Sequence, residues 1–309
     1  MIRAAGIHKS FQGNRVLNGI SLQVNSGEIY GFIGPNGAGK TTTMNILAGL
    51  LSADAGICEI GGKPVSPGRS GPVGVCGYLP EEPRFYPFLT AEEYLMLIGR
   101  VSGMEMKAAR TRAMELLERT GIAKSSRRRI AGYSRGMRQR LGLASALMHS
   151  PRALLLDEPS SALDPAGRRE MAIVLNELRQ EGMAILLSTH ILSDLEHICD
   201  RVGILLKGCM VLEGRLDDIL TEYAAPGFDL QLLHPATLEL LELLRGMPCV
   251  RRVETQEAGL LVRIETLQPE TEVNRIFPIL QEQKIPVSGI MMRKANLDDV
   301  FGKVVSRDA

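Results

Sequence analysis

Gly34, Pro35, Asn36, Gly37, Ala38, Gly39, Lys40, Thr41 and Thr42 are the residues whose types and spacing most directly imply chemistry. They fit G-x-x-x-x-G-K-[ST], in which glycines let the backbone curl and point successive N–H groups at a polyphosphate. Lys40 supplies a point charge for the outer phosphates, and Thr41 a hydroxyl for Mg²⁺. Without a ligand the Lys40 side chain is expected to face solvent. Further on, Leu154-Leu155-Leu156-Asp157-Glu158-Pro159 is an apolar run ending in two carboxylates. Asp157 suits Mg²⁺, directly or through water, and Glu158 suits the orientation and polarisation of a water attacking the γ-phosphate. A third feature, Tyr133-Ser134-Arg135-Gly136-Met137, lies 23 residues before Asp157, counted from Ser134. A Ser-x-Gly turn opening a helix offers a hydroxyl and free N–H groups to an anion, although by itself it is only a helix cap.

The elements around these residues must bring them together. Glu28–Ile33 reads as a buried strand feeding the loop, and 43–50 as the helix that leaves it. Ala153–Asp157 and Ala184–Ser188 are short apolar strands separated by a helix at 166–181, a β-α-β crossover. Parallel sheets place ligands at the carboxyl ends of their strands, so Asp157 and Glu158 are expected to open onto the Lys40 loop. Residues 2–25 predict an antiparallel ribbon, and 56–60 a strand turning at Gly61-Gly62. The Pro/Gly/Ser-rich stretch 66–72 predicts a loop. From 91 to about 120 the pattern is helical, with Leu95, Ile98, Val101, Met114, Leu117 and Gly121 assigned to the inner face. A helix at 138–148 and a hairpin around Lys207-Gly208 follow. After Glu222, Ala225-Pro226-Gly227 reads as a break. The order βαββαβ beyond it predicts a small ferredoxin-like α+β domain.

Composition narrows the class. The chain has 309 residues, 36 Lys+Arg against 35 Asp+Glu, no Trp, and only 4 % aromatic residues. Such a balance gives no global field toward nucleic acid, and no nucleic-acid partner is expected. Plentiful aliphatics suit parallel strands. The five cysteines show no C-x-x-C spacing and read as reduced thiols. No run approaches the roughly 18 apolar residues of a membrane-spanning helix, and no signal segment opens the chain.

Taken in order, these motifs resemble the ATP-binding subunit of an ABC transporter over about residues 2–220. The Ser134–Met137 segment is similar to that family's signature and Leu163-Asp164 to its D-loop. His190 matches its switch histidine, and Phe11 stands where the family stacks an aromatic ring on adenine. The resemblance implies an ATP- and Mg²⁺-dependent ATPase, an α/β phosphate-loop cassette over 1–222 with a helical subdomain at about 85–148. The remainder, 225–309, is a small domain for dimerisation or regulation. It implies two cassettes facing head to tail, a second copy or a homologous cassette, with each ATP held by one subunit's Lys40 loop and by Ser134 and Gly136 of the other. It also implies a separate integral membrane permease and a place on the cytoplasmic face of the membrane through it. Two positions depart from the common pattern. Glu81 stands where most of the family has glutamine, and can coordinate Mg²⁺ but not offer a neutral amide. Arg135 and Met137 replace the commoner glycine and glutamine. These substitutions and the extra domain resemble the branch that pairs with ABC-2-type permeases, which includes drug, polysaccharide and ion exporters.

A soluble ABC ATPase acting on ribosomes or DNA is the alternative, though such proteins usually carry tandem cassettes or a long coiled coil. A phosphate-loop GTPase is opposed by the missing N-K-x-D. The segment Pro83-Arg84-Phe85-Tyr86-Pro87-Phe88-Leu89, just after Glu81, is rich in aromatics. Its rings either pack beneath the helices or line a groove for a cytoplasmic helix of the permease.

Overall fold

A phosphate loop requires a strand that stops and a helix that begins within a few residues. The computed structural model supplies both within a chain described over residues 1–65, 75–224, 226–248, 250–266, 269–293 and 295–307. The predicted loop at 66–72, and Ala225 of the predicted break, lie outside the described residues. The chain forms two compact units, Met1–Leu216 with Lys303–Ala309, and Asp217–Gly302.

In the first unit, β1 (Ile2–Phe11) and β2 (Asn14–Val24) pair antiparallel, as their alternation predicts, with Ile2, Ile7, Leu17, Ile20 and Val24 in the core. Every residue of β3 (Ile29–Ile33) is buried, so it reads as a continuous apolar run. The helix α1 (Lys40–Leu47) follows the loop. Strands β4 (Ala55–Ile60) and β5 (Lys63–Pro64) complete a sheet in the order β2-β1-β4-β5. Then come β6 (Cys76–Leu79), α2 (Ala91–Val101), α3 (Met106–Arg119) and α4 (Arg135–Leu147). After these are β7 (Ala153–Asp157), α5 (Pro165–Gln180), β8 (Ala184–Ser188), α6 (Leu192–Glu196), β9 (Arg201–Leu206) and β10 (Cys209–Arg215). The central sheet runs β10-β9-β3-β8-β7-β6, parallel except for the β9–β10 hairpin.

The helical stretch at 91–120 is two helices, broken at Gly103 with φ +86°. Val101 and Met114, assigned to the inner face, are exposed, and Gly121 is also on the surface. The buried face is instead Ala91, Leu95 and Gly99 against Ala109, Ala113, Leu116 and Leu117. Successive steps of three residues drift around a helix of 3.6 residues per turn, whereas Leu95–Gly99 and Ala109–Ala113 stay on one face. Thr90 and Glu93 form a capping box that begins α2.

The second unit opens with α7 (Leu216–Glu222), all but its first residue. It contains β11 (Gly227–Leu232), α8 (Leu238–Arg245), β12 (Val250–Gln256), β13 (Leu261–Thr266), α9 (Pro269–Glu282), β14 (Val287–Met292) and the start of α10 (Leu297–Arg307). Its sheet order is β12-β13-β11-β14, with all neighbours antiparallel, the arrangement of a ferredoxin-like α+β unit. Phe228, Leu230, Val262 and Ile264 of the sheet pack with Leu240 and Leu244 of α8 and Ile276 and Leu280 of α9. Among the described residues no helix is long and apolar enough to cross a membrane. Cys58, Cys76, Cys199 and Cys209 are free thiols, and burial pushes Cys76 up to about 12.

Candidate active site

The loop between β3 and α1 has its glycines where a side chain could not stand. Gly39 has φ +112°, and a Cβ there would lie 2.5 Å from Leu17 Cδ2. Gly37 has φ +82° and no atom within 4 Å of its Cβ position, so this part of the loop opens outward. Gly34, Ala38 and Gly39 are buried, while Pro35, Asn36, Gly37 and Thr41 are exposed and Thr42 is half-buried. Thr43 closes the first turn of α1 onto its cap, its N–H donating to Gly39 O at 2.9 Å and its hydroxyl to the same oxygen at 3.0 Å.

Lys40 departs from its expectation. It is 7 % exposed rather than solvent-facing, and its ammonium donates to Gly34 O at 2.6 Å and Pro35 O at 3.2 Å. The curled loop turns two carbonyls toward its own lysine, and both accept from the ammonium. Burial lowers its pKa, while the charges of Glu158, Asp157 and Glu81 oppose that shift. The fold therefore brings three carboxylates from two strand ends, Asp157 and Glu158 at β7 and Glu81 after β6, into the electrostatic reach of one ammonium.

Asp157 ends β7 fully buried. The Ser188 hydroxyl, at the end of the adjacent β8, donates to its Oδ1. Its Oδ2 is buried and has no hydrogen-bond partner, an orphaned anionic oxygen that fits a cation ligand. Among the described residues no cluster of three or more His, Cys, Asp or Glu side chains could hold a metal. A cation held by Asp157 would take its other ligands from phosphate oxygens and a hydroxyl such as that of Thr41, as magnesium commonly does with nucleotides. Glu81 follows β6 at the surface.

Glu158 is buried in the left-handed region, φ +51°. Its N–H donates to Ser188 O at 3.0 Å, and Oε2 lies 2.8 Å from His190 Nδ1. The His190 side chain is 61 % exposed, so the carboxylate is shielded and the imidazole reaches outward. Phe11 closes β1 at 44 % exposure, with Lys9 Nζ 5.4 Å from its ring centroid.

Ser134 caps α4, accepting from Met137 N–H at 3.2 Å. Among the described residues no hydrogen bond or ion pair links Ser134 to the phosphate loop. The sheet order explains this: α4 packs on β6, where Gly142 and Leu79 meet, and β6 lies three strand spacings, about 14 Å, from β3. Gly136 faces the segment after Glu158, its Cβ position 3.3 Å from Ala162 O. Residue-by-residue reading missed Ser188 and Gln139. A serine closing an otherwise apolar strand was the available signal for the first, and none marked the second.

The aromatic segment after Glu81 divides. Phe85 packs edge-on against Tyr94 with centroids 5.0 Å apart, while Phe88 is 66 % exposed and lies 5.9 Å from Tyr86. Beside them is an open groove of about 610 Å³ lined by Glu81, Pro83, Arg84, Phe85, Arg135 and Arg138.

A glycine loop between strand and helix, with a strand ending in two carboxylates one strand away in the same parallel sheet, defines a phosphate-loop nucleoside triphosphatase. The family model described as "ABC transporter" matches residues 17–161. The chain is 41 % identical over 232 residues to the uncharacterized ABC transporter ATP-binding protein YxlF of Bacillus subtilis (strain 168), covering 75 % of this chain and 77 % of that one. It is 32 % identical over 306 residues to the bacitracin transport ATP-binding protein BcrA of Bacillus licheniformis, covering 99 % and 97 %. A solved structure described as the ATP binding subunit of an ABC transporter superposes with TM-score 0.65 at 32 % identity, over 71 % of this chain and 91 % of that one. The chain belongs to the ABC transporter ATP-binding proteins, cassettes that bind and hydrolyse ATP.

Proposed function

We propose that this protein is the motor subunit of a membrane exporter, closing head to tail with a second copy or a homologous cassette and driving a separate permease from the cytoplasmic face. The observation that carries the dimer is the separation of Ser134 and Gly136 from Lys40 across the sheet, since one chain then completes no site alone. The likeness to a bacitracin transport protein supports the exporter reading. The unit 225–309 carries no nucleotide motif and is assigned to dimerisation or regulation.

In this reading the N–H groups of residues 34–42 and the Lys40 ammonium bind the phosphates, and Phe11 stacks on adenine. Asp157 and Thr41 hold Mg²⁺, with Glu81 in reach of the same charge; bound there, Mg²⁺ neutralises charge on the transferring phosphoryl group. Glu158 orients and polarises the attacking water, and His190 fixes the carboxylate that does so. On closure Ser134 and Gly136 of the partner engage the γ-phosphate, and hydrolysis removes that contact.

Two measurements test this directly. Phe11→Ala weakens ATP binding by about 1–2 kcal/mol, the scale of one base–aromatic stack, and leaves inorganic triphosphate binding unchanged. An equal loss for both ligands, read by calorimetry, would make Phe11 a packing residue only. The groove beside Glu81, which Phe85 lines, is assigned to a permease helix, and Phe88, exposed in the same aromatic segment though outside that lining, to a further aromatic contact with it. Phe88→Glu then keeps the ATPase rate of the purified chain while transport and co-purification of a membrane partner are lost. Normal transport by that variant would place the contact elsewhere.

A further inference from the structure

Glu158 adopts a left-handed backbone conformation that a residue with a Cβ seldom takes, so its surroundings must impose it. On one side, Ser188 O accepts its N–H. On the other, its carbonyl accepts from the Ser161 hydroxyl at 3.1 Å and from the Gln139 side-chain amide at 3.3 Å. Gln139 is 2 % exposed and lies one turn beyond Ser134 on α4. The same helix touches the segment after Glu158 at two further points. Gly136 abuts Ala162 and Leu163, and Arg140 pairs with Glu170 at 2.7 Å. A buried amide that donates to the peptide of a strained residue sets the direction of that residue's side chain.

We infer that Gln139 is a positioning residue, tying the Ser134 helix to Glu158 so that the place of the Ser134 turn sets the aim of the Glu158 carboxylate within the same subunit. The inference rests on the role proposed above for Glu158. A displacement of α4 that lengthens the Gln139 contact relaxes the left-handed peptide and turns the carboxylate away from the water. Hydrolysis thus depends on where the helical region stands as well as on whether nucleotide is present. The Ser161 hydroxyl donates to the same carbonyl, which makes the loss on removing Gln139 partial rather than complete.

The full-length chain tests this with Gln139→Met, Gln139→Glu and Glu158→Gln assayed in parallel for steady-state ATPase and thermal melting. Gln139→Met fills the space without a donor and is expected to lower kcat about tenfold, less than the loss of the base itself, with KM for ATP and Tm unchanged. Gln139→Glu behaves like Gln139→Met at alkaline pH and recovers relative to wild type as pH falls, because a protonated carboxyl can again donate to the Glu158 carbonyl. Wild-type kcat in Gln139→Met, a loss of kcat accompanied by a lowered Tm, or a Gln139→Glu to wild-type ratio flat across pH each overturns the inference. Glu158→Gln separates the two readings. An active Glu158→Gln enzyme defeats the role of Glu158 itself, whereas an inactive one beside a fully active Gln139→Met defeats only the positioning role.

Discussion

Glu158→Gln keeps ATP bound and lowers turnover by about 10²–10⁴-fold, the usual contribution of a positioned general base. The substitution preserves side-chain volume and can retain a hydrogen bond to His190, which now meets the carboxylate at 2.8 Å. What it removes is the negative charge that polarises water. Because Asp157 and Lys40 are untouched, nucleotide and Mg²⁺ affinity persist, and the enzyme accumulates in its ATP-bound form. In the proposed cycle that form is a closed dimer. Size-exclusion chromatography with ATP should therefore show a dimer for Glu158→Gln at concentrations where wild type, turning over, runs as a monomer. Near-wild-type hydrolysis would remove Glu158 from the base role, and hydrolysis lost without dimer accumulation would separate catalysis from assembly.

The second large effect belongs to Lys40. Lys40→Ala weakens ATP binding by about two orders of magnitude or more, close to 3 kcal/mol, as expected when one partner of a desolvated charge contact is removed. The structure adds a consequence for stability. The ammonium occupies Gly34 O at 2.6 Å, and removing it leaves a buried carbonyl short of a donor at a cost of about 1–3 kcal/mol. The nucleotide-free variant should melt several degrees lower than wild type, as that range implies for a domain of this size. Calorimetric ATP titration and thermal melting read the two effects separately. Ser134→Arg is the contrasting variant, since Ser134 caps a helix packed on β6, the edge strand three places from β3. Its monomer should bind ATP as wild type does while dimer formation fails. A loss of monomer affinity equal to that of Lys40→Ala would show that Ser134 acts on the nucleotide within its own subunit.

Motif spacing was enough to name the phosphate loop, the paired carboxylates and the Ser134 turn, because each is a local constraint. A loop that wraps phosphate needs glycine at Gly37 and Gly39 whatever surrounds it. An apolar run ending in Asp157-Glu158 is legible because burial on both faces of β7 removes the usual alternation. The order βαββαβ was legible for the same reason, since alternating periods mark each element in turn. Three facts were decided only by tertiary structure. Lys40 turns back onto Gly34 and Pro35 because the curled backbone presents carbonyls that no spacing rule records. The inner face of α2 and α3 mixes Ala91, Gly99, Ala109 and Ala113 with Leu95, Leu116 and Leu117, and only the partner helix selects that face over the one carrying Val101 and Met114. Gln139 reaches Glu158 because α4 crosses beside the end of β7, a meeting of residues 19 positions apart. Local sequence determines which conformations a segment can adopt. Which polar atoms meet is decided when separate elements pack, and burial then makes every unpaired donor or acceptor costly.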